Sequence, residues 1–353
     1  MEHFYDAIDL LKGMIARPSF SKEETDVADF LQLQWQKAGH NVHRKENNLW
    51  ITAPGFDSGR PTILMNSHID TVKPVSGWDK NPFIPEENDD CLYGLGSNDA
   101  GASVVALFES FVILSAKKQP YNLIFLASAE EEISGKNGVE CVLNELPPIA
   151  FGLVGEPTAM HPAIAEKGLL VLDCVSHGVA GHAARYEGVN AIARAINDIN
   201  WFHGFSFPKQ SDLSGPVKMT VTLIKAGTQH NVIPDKCEFT VDIRTNEWYS
   251  NRELFDEINK HVACETVSRG FRLNSSQLDP DHPFVRRAVM LGKTPFGSPT
   301  LSDQALMNFP TVKMGPGESS RSHTASEFIR LSEIREAIEL YVKLLDGLEI
   351  IES

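Results

Sequence analysis

Pro61-Thr-Ile-Leu-Met-Asn-Ser67 runs straight into His68-Ile-Asp70, and the reading of this stretch decides the fold. Its apolar residues follow one another without the alternation of a half-exposed strand, as expected of a strand covered on both faces. Asn122-Leu-Ile-Phe-Leu-Ala-Ser128 and Phe151-Gly-Leu-Val154 read the same way, and Leu49 to Thr52 is a further strand-like stretch. Helical patterns lie around them. Phe4, Ile8, Leu11 and Ile15 recur at helical spacing until Pro18 stops the run. Ser21 with Glu24 reads as a capping box for a second helix bearing Val27, Phe30, Leu31, Trp35 and Ala38, with Gly39 at its C-terminus. A third helix is expected over 100–115. Helices alternating with buried strands predict an α/β fold with a mixed, largely parallel central sheet flanked by helices.

The pattern changes after about residue 165. Val217, Met219, Val221 and Leu223 alternate, as do Cys237, Phe239, Val241 and Ile243, which marks half-exposed antiparallel strands. Helices over roughly 189–202 and 250–263, with strand segments at Leu169 to Val175 and Gly270 to Leu273, complete an inserted α+β domain over 166–275. The larger domain is then 1–165 plus 276–353, closing in a helix that carries Ile334, Ala337, Ile338, Tyr341, Leu344 and Leu345. No internal repeat or low-complexity tract interrupts the chain.

At about 150 residues per domain, 353 residues agree with two. Hydrophobic residues at 42% and charged residues at 22% supply an ordinary core and surface. The net charge of −15, with no basic cluster, argues against nucleic acid and against an anionic membrane. Five cysteines (Cys91, Cys141, Cys174, Cys237, Cys264) form no CxxC pair, so neither a disulfide framework nor a thiolate metal site is expected. The acidic, helical N-terminus is not read as a signal peptide, and no apolar run is expected to reach the roughly 18 residues of a membrane span. The cytoplasm is the expected location.

Polar residues gather where strands end. His68-Ile-Asp70 places a carboxylate two residues after a histidine, a spacing at which the acid can orient a metal-binding ring; a loop histidine with a solvated aspartate fits equally well. In Gly94-Leu-Gly-Ser-Asn-Asp99-Ala-Gly101 the aspartate opens a helix, where an ordinary N-cap is the simpler reading. Glu130-Glu-Glu132 follows a buried strand, and three adjacent carboxylates there make better sense beside cations. Glu156 ends the Phe151–Val154 strand in Gly155-Glu-Pro-Thr158, and His323 stands in Ser322-His-Thr-Ala-Ser-Glu327 after the glycine- and serine-rich run Gly315 to Arg321. Imidazole with carboxylate and no thiolate suits Zn²⁺, with Mn²⁺ or Co²⁺ as alternatives.

The ordered set SHIDTV, GLGSNDAG, SAEEE, GEPT and SHTASEF resembles the family of dinuclear-zinc acylases and peptidases, over nearly the whole chain. That family includes acetylornithine deacetylase, succinyl-diaminopimelate desuccinylase, aminoacylase and the glutamate carboxypeptidases. GEPT and the run SGWDKNPF (76–83) are most similar to the acetylornithine deacetylase and desuccinylase branch. The resemblance implies a zinc-exopeptidase-like catalytic domain with an inserted lid and dimerisation domain. It implies two divalent metal ions, zinc before cobalt or manganese. His68 and Glu156 would bind one, His323 and a glutamate of the 130–132 triplet the other, with Asp99 between them and Asp70 behind His68. Aligning Ser128-Ala-Glu130 with the family's Thr-Ala-Asp makes Glu131 the general base and Glu132 the ligand; the alternative register makes Glu130 the base and Glu131 the ligand.

In the inserted segment, Gly181-His182-Ala-Ala-Arg185 with Gly188-Val-Asn-Ala-Ile192 resembles the lid motif whose histidine reaches across a dimer interface and polarises the substrate carbonyl. Gly227-Thr-Gln-His-Asn231-Val-Ile-Pro234 and Asp242-Ile-Arg244 resemble substrate-contacting segments, which makes Asn231 and Arg244 substrate-binding candidates, Arg244 for an α-carboxylate. The activity implied is hydrolysis of the amide of an N-acyl amino acid, N-acetyl- or N-succinyl-ornithine of arginine biosynthesis first. Succinyl-diaminopimelate of lysine biosynthesis, or a di- or tripeptide, is the alternative. The implied partners are that small molecule and a second copy of the chain. Leu95, where many members carry Arg, and Thr300-Leu-Ser-Asp303, where Gly-Thr-Ser-Asp is common, depart from the family pattern at positions that touch no implied metal ligand.

Overall fold

Seven strands of a mixed sheet run in the order His43–Lys45, Asn48–Thr52, Asn122–Ser128, Thr62–His68, Phe151–Val154, Thr311–Lys313, Ala163–Glu166 in the computed structural model, which describes residues 2–350. The four strands from Asn122–Ser128 to Thr311–Lys313 are parallel to one another, and the outer strands join antiparallel. Thr62–His68 and Asn122–Ser128 are buried along their whole length, which is why neither shows alternation. This is the α/β architecture with a largely parallel central sheet that the apolar runs predict. The helix Ala102–Ser115 packs on these two strands and against the C-terminal helix Leu331–Leu345. Tyr341 in the C-terminal helix donates its hydroxyl to the Met314 carbonyl at 2.6 Å, so the buried phenol is satisfied. Trp35 stacks on Phe108 at 4.9 Å and meets Phe125 edge-on at 5.4 Å.

The chain divides into two compact units. The first comprises the chain up to Ile164, Leu278–Phe296 and the residues from Ser302 on; the second comprises Ala165–Gln277 and Gly297–Leu301. The second unit holds a four-stranded antiparallel sheet in the order Lys218–Ala226, Lys236–Thr245, Gly168–His177, Glu265–Ser268. Burial alternates along Gly168–His177 and Lys236–Thr245, and the buried side chains (Leu170, Leu172, Phe239, Val241, Ile243) pack with Ala195 and Phe202 of helix Ala191–Gly204 and with Leu254 and Ile258 of helix Asn251–Ile258.

Several expectations need correcting. Ser21 and Glu24 form no capping box: helix Thr25–Lys37 has no side-chain cap, and both residues bond elsewhere. Helix Ala102–Ser115 begins two residues later than expected, because a wide turn over Ser97–Gly101 precedes it and holds Asp99 in extended backbone (φ −122°, ψ 96°). The fourth strand of the second unit is Glu265–Ser268, not 270–273; Phe271 instead packs against Phe255 at 5.3 Å. The helix expected to reach 263 ends at Ile258. Finally, Ser97–Ser115 is long and apolar enough to pass for a membrane span, contrary to the expectation that no run is; its residues are instead largely buried inside the protein, the mark of a core helix.

Candidate metal centre

The parallel strands deliver their C-terminal ends to one edge of the sheet. His68 pairs with Ser128 across one ladder, Asn66 with Val154 across the next, and Val154 with Lys313 across a third. The residues that follow these ends are Ile69 and Asp70, the 129–132 turn, Glu156, and the loop leading to His323. Such an edge is where open α/β sheets place ligands.

His68 is 1% exposed, and its Nδ1 lies 2.9 Å from the Asp70 carbonyl oxygen, which turns Nε2 into the cluster. Nε2 is 3.2 Å from Asp99 Oδ1, 3.7 Å from Glu156 Oε1 and 4.0 Å from Glu131 Oε2. The other Asp99 oxygen, Oδ2, is 3.6 Å from His323 Nε2, which lies 3.1 Å from Glu132 Oε2. Asp99 therefore offers one oxygen to each imidazole. The structure brings together His68, Asp99, Glu131, Glu132, Glu156 and His323, and two overlapping sets, His68 with Glu131 and Glu156, and His68 with Asp99 and Glu132, are close enough to share an ion.

Glu130 is not among them. Its backbone is left-handed (φ 53°, ψ 24°), and its carboxylate turns back to accept from the Asn137 side chain at 3.1 Å. A Cβ at Gly135 would lie 1.8 Å from that carboxylate, so only glycine leaves it room. The backbone twist sends Glu130 one way and Glu131 and Glu132 the other.

The donor chemistry fits divalent cations. Two imidazoles and four carboxylates converge without a thiolate, and the buried Lys313 acts on Glu156 together with His68. Without a cation the carboxylates cannot all ionise cheaply. Burial pushes Glu156 up to about 8, helped by Asp99 and opposed by His68 and Lys313. Burial and the neighbouring acids hold Glu131 well above the usual carboxylate range, against the pull of His68. Burial disfavours the His68 imidazolium, yet Asp70, Asp99 and the two glutamates outweigh it and raise the ring well above its ordinary value. Hydrogen bonding to Glu132 pushes His323 up to about 9. A pair of cations would reverse these balances.

The Asp70 carboxylate does more than face His68, from which its Oδ1 lies 3.5 Å. It accepts the backbone N–H of Glu131 at 3.0 Å and of Glu132 at 3.1 Å, and the Ser21 hydroxyl at 2.7 Å. Two further acids escaped the sequence reading as functional. Asp303 is buried, accepts from Asn66 at 2.9 Å and Ser128 at 2.7 Å, and is raised to about 6 by burial. Glu327 is buried and accepts the backbone N–H of Asn98 at 2.9 Å and of Asp99 at 3.0 Å, which fixes the turn that presents Asp99. Its position inside the SHTASEF motif was the available signal.

His182, Asn231 and Arg244 belong to the second unit. His182 is exposed on the short strand Gly181–His182, which pairs with Val232–Ile233, and the Asn231 carbonyl accepts the Ala183 N–H at 3.0 Å, so His182 and Asn231 are neighbours. The Arg244 guanidinium is closed on Asp242 of its own strand through Nε at 2.8 Å and a second nitrogen at 3.1 Å.

Comparison with known proteins identifies the family. The model of the family described as Peptidase family M20/M25/M40 matches residues 64–347. An acetylornithine deacetylase of Proteus mirabilis is 27% identical, covering 98% of this chain and 97% of its own. A succinyl-diaminopimelate desuccinylase of Xylella fastidiosa is 26% identical, covering 97% and 98%. Among solved structures, the aminopeptidase PepT of Bacillus cereus superposes with a TM-score of 0.77 at 20% identity over 97% of this chain and 98% of its own. A dinuclear metal binding peptidase of the M20 family from Bacillus subtilis gives 0.71 at 17% identity over 98% of each. The chain belongs to the M20/M25/M40 peptidase family and is a metal-dependent amide hydrolase.

Proposed function

We propose that this member of the M20/M25/M40 family removes the acyl group from an N-acyl amino acid, N-acetyl- or N-succinyl-ornithine before other substrates. The observation that carries the reading is the single carboxylate of Asp99 set between two imidazoles, with Glu131, Glu132 and Glu156 beside them at the sheet edge. His68, Asp99 and Glu156 would hold one divalent ion and Asp99, Glu132 and His323 the other, zinc before cobalt or manganese. When bound, such ions polarise a carbonyl and acidify water.

Glu131 is the general base. It lies beside His68, its backbone is held by Asp70, and it accepts a proton from water and passes it to the leaving amine. Asp70 orients the His68 ring through its carbonyl oxygen and the Glu131–Glu132 backbone through its carboxylate. In the second unit His182 is assigned as donor to the carbonyl oxygen, with Arg244 and Asn231 as substrate contacts; an incoming α-carboxylate would compete with Asp242 for Arg244. A homodimer through the second unit and a cytoplasmic location complete the reading; five cysteines, odd in number and without a CxxC pair, support a reducing compartment.

Succinyl-diaminopimelate is the second reading, favoured by the end-to-end similarity to a desuccinylase. The deciding experiment ranks kcat/KM for N-acetyl-ornithine, N-succinyl-ornithine, N-succinyl-diaminopimelate and a set of dipeptides, each with and without chelator. Highest chelator-sensitive turnover on the ornithine derivatives supports the first reading. A dipeptide ranked first overturns it.

A further inference from the structure

The turn that carries Glu131 and Glu132 is held from behind by a row of buried acceptors. Four consecutive backbone N–H groups each donate to a side chain from a distant part of the chain. Ala129 donates to Asn48 Oδ1 at 2.9 Å, Glu130 to Glu24 Oε1 at 3.2 Å, Glu131 to Asp70 Oδ1 at 3.0 Å and Glu132 to Asp70 Oδ2 at 3.1 Å. Asn48, Glu24 and Asp70 are 0%, 0% and 1% exposed. Burying carboxylates behind a turn that is itself acidic is a costly way to gain stability alone. The expense has a geometric return at Glu24. Its Oε1 accepts two N–H groups, those of Lys22 at 2.7 Å and Glu130, and both residues are left-handed (φ 76° and 53°). One oxygen thus ties together two backbone corners that non-glycine residues resist. The second oxygen is anchored by Asn47 at 2.9 Å. From the same loop, the Ser21 hydroxyl donates to Asp70 Oδ2.

We propose that Glu24 and Ser21, in Ser19-Phe-Ser-Lys-Glu-Glu24, are positioning residues that set the Glu131–Glu132 turn for proton transfer and metal binding. They act through the backbone of residues 130–132 and through Asp70. The inference rests on the assignment of Glu131 as base and Glu132 as ligand. A displacement of the base by about 1 Å is enough to cost on the order of 10²-fold in rate, and loss of a group supporting a metal ligand costs about 10–100-fold in metal affinity.

The test compares E24A, E24Q and S21A with the wild-type full chain. Calorimetric titration with Co²⁺ reads metal affinity, and hydrolysis of the best substrate in the Co²⁺-loaded protein reads kcat and KM separately, with circular dichroism and Tm as the folding check. E24A removes the acceptor and is expected to lower kcat about 10²-fold, with KM changed less than about threefold, and to weaken Co²⁺ about 10–100-fold. E24Q keeps an oxygen for the two N–H groups and is expected to recover to within about tenfold of wild type in both readouts. S21A is expected to show the same pattern as E24A at smaller size, and it carries the test with E24Q if E24A does not fold. A folded E24A that keeps kcat and Co²⁺ affinity within about twofold overturns the proposal, as does an E24Q no better than E24A. If the wild type binds Co²⁺ but hydrolyses none of the amides, the proposed function fails on its own, while the Co²⁺ affinities of E24A and S21A still decide whether these residues position the turn.

Discussion

The strands Thr62–His68 and Lys236–Thr245 are both central in their sheets, yet the first is buried along its whole length and the second only at every other residue. The first has no solvent-facing side on which to display chemistry, so Asn66 and Ser67 inside it are taken up by buried hydrogen bonds to Asp303 and the Gly155 carbonyl, and the candidate ligand and its neighbouring acid come where the chain leaves the sheet, at His68 and Asp70. There they sit almost without exposure and need partners from several elements. The second has an outer face throughout, and its candidate substrate contact, Arg244, is satisfied by a neighbour two residues away on its own strand. A site at the end of buried strands is therefore preorganised by distant acceptors, whereas a residue on a half-exposed strand keeps a local and exchangeable partner.

The sharpest way to break this contrast is at Glu131. Glu131→Gln is expected to lower kcat by about 10³–10⁴-fold while Co²⁺ still binds, read by single-turnover kinetics alongside calorimetry. A variant that binds metal and keeps full turnover would remove Glu131 from the base role. Next comes the interior of the two sheets. Leu64→Ala in Thr62–His68 is expected to cost about 2–5 kcal/mol in urea unfolding, whereas Thr240→Ala on the outer face of Lys236–Thr245 should cost under about 1 kcal/mol. Equal costs would erase the distinction between the strands. His182→Ala should lower kcat about 10²–10³-fold and leave Co²⁺ affinity unchanged, because His182 lies outside the cluster of ligands.

The smallest effect concerns pH. Burial pushes Glu109 up to about 7, Asp6 adds to the rise, and His3 at 2.7 Å opposes it. The folded chain then holds this proton more tightly than the unfolded one, so this residue's contribution to stability falls as pH rises from about 4.5 through about 7. Glu109→Gln should raise Tm by a few degrees at pH 8 and leave it nearly unchanged at pH 4, measured by thermal melts at both values. A gain confined to the acid side would contradict the sign.

Much of this was legible in the sequence because it depends on local patterns. Unbroken apolar runs marked the parallel strands, period-two alternation marked the antiparallel ones, and the polar residues after each run marked the candidate site. Spacing left the choice between the two glutamate registers open, since any of three adjacent carboxylates can follow a strand. The left-handed backbone at Glu130, with Gly135 opposite its carboxylate, turns that side chain away. Ser21 and Glu24 show the opposite failure. Their spacing suits a helix cap, but competition from buried N–H groups at Glu130, and from the Asp70 carboxylate, draws both side chains elsewhere.

Order along the chain was enough to specify the two kinds of sheet, the chemistry of the donors and the strand ends that carry them, because hydrophobic period and residue type act within a few neighbours. Which oxygen meets which nitrogen was settled only by folding. Glu24, Asn48, Asp70 and the 129–132 turn are far apart in sequence, and unpaired N–H groups buried at one sheet edge compel them to meet.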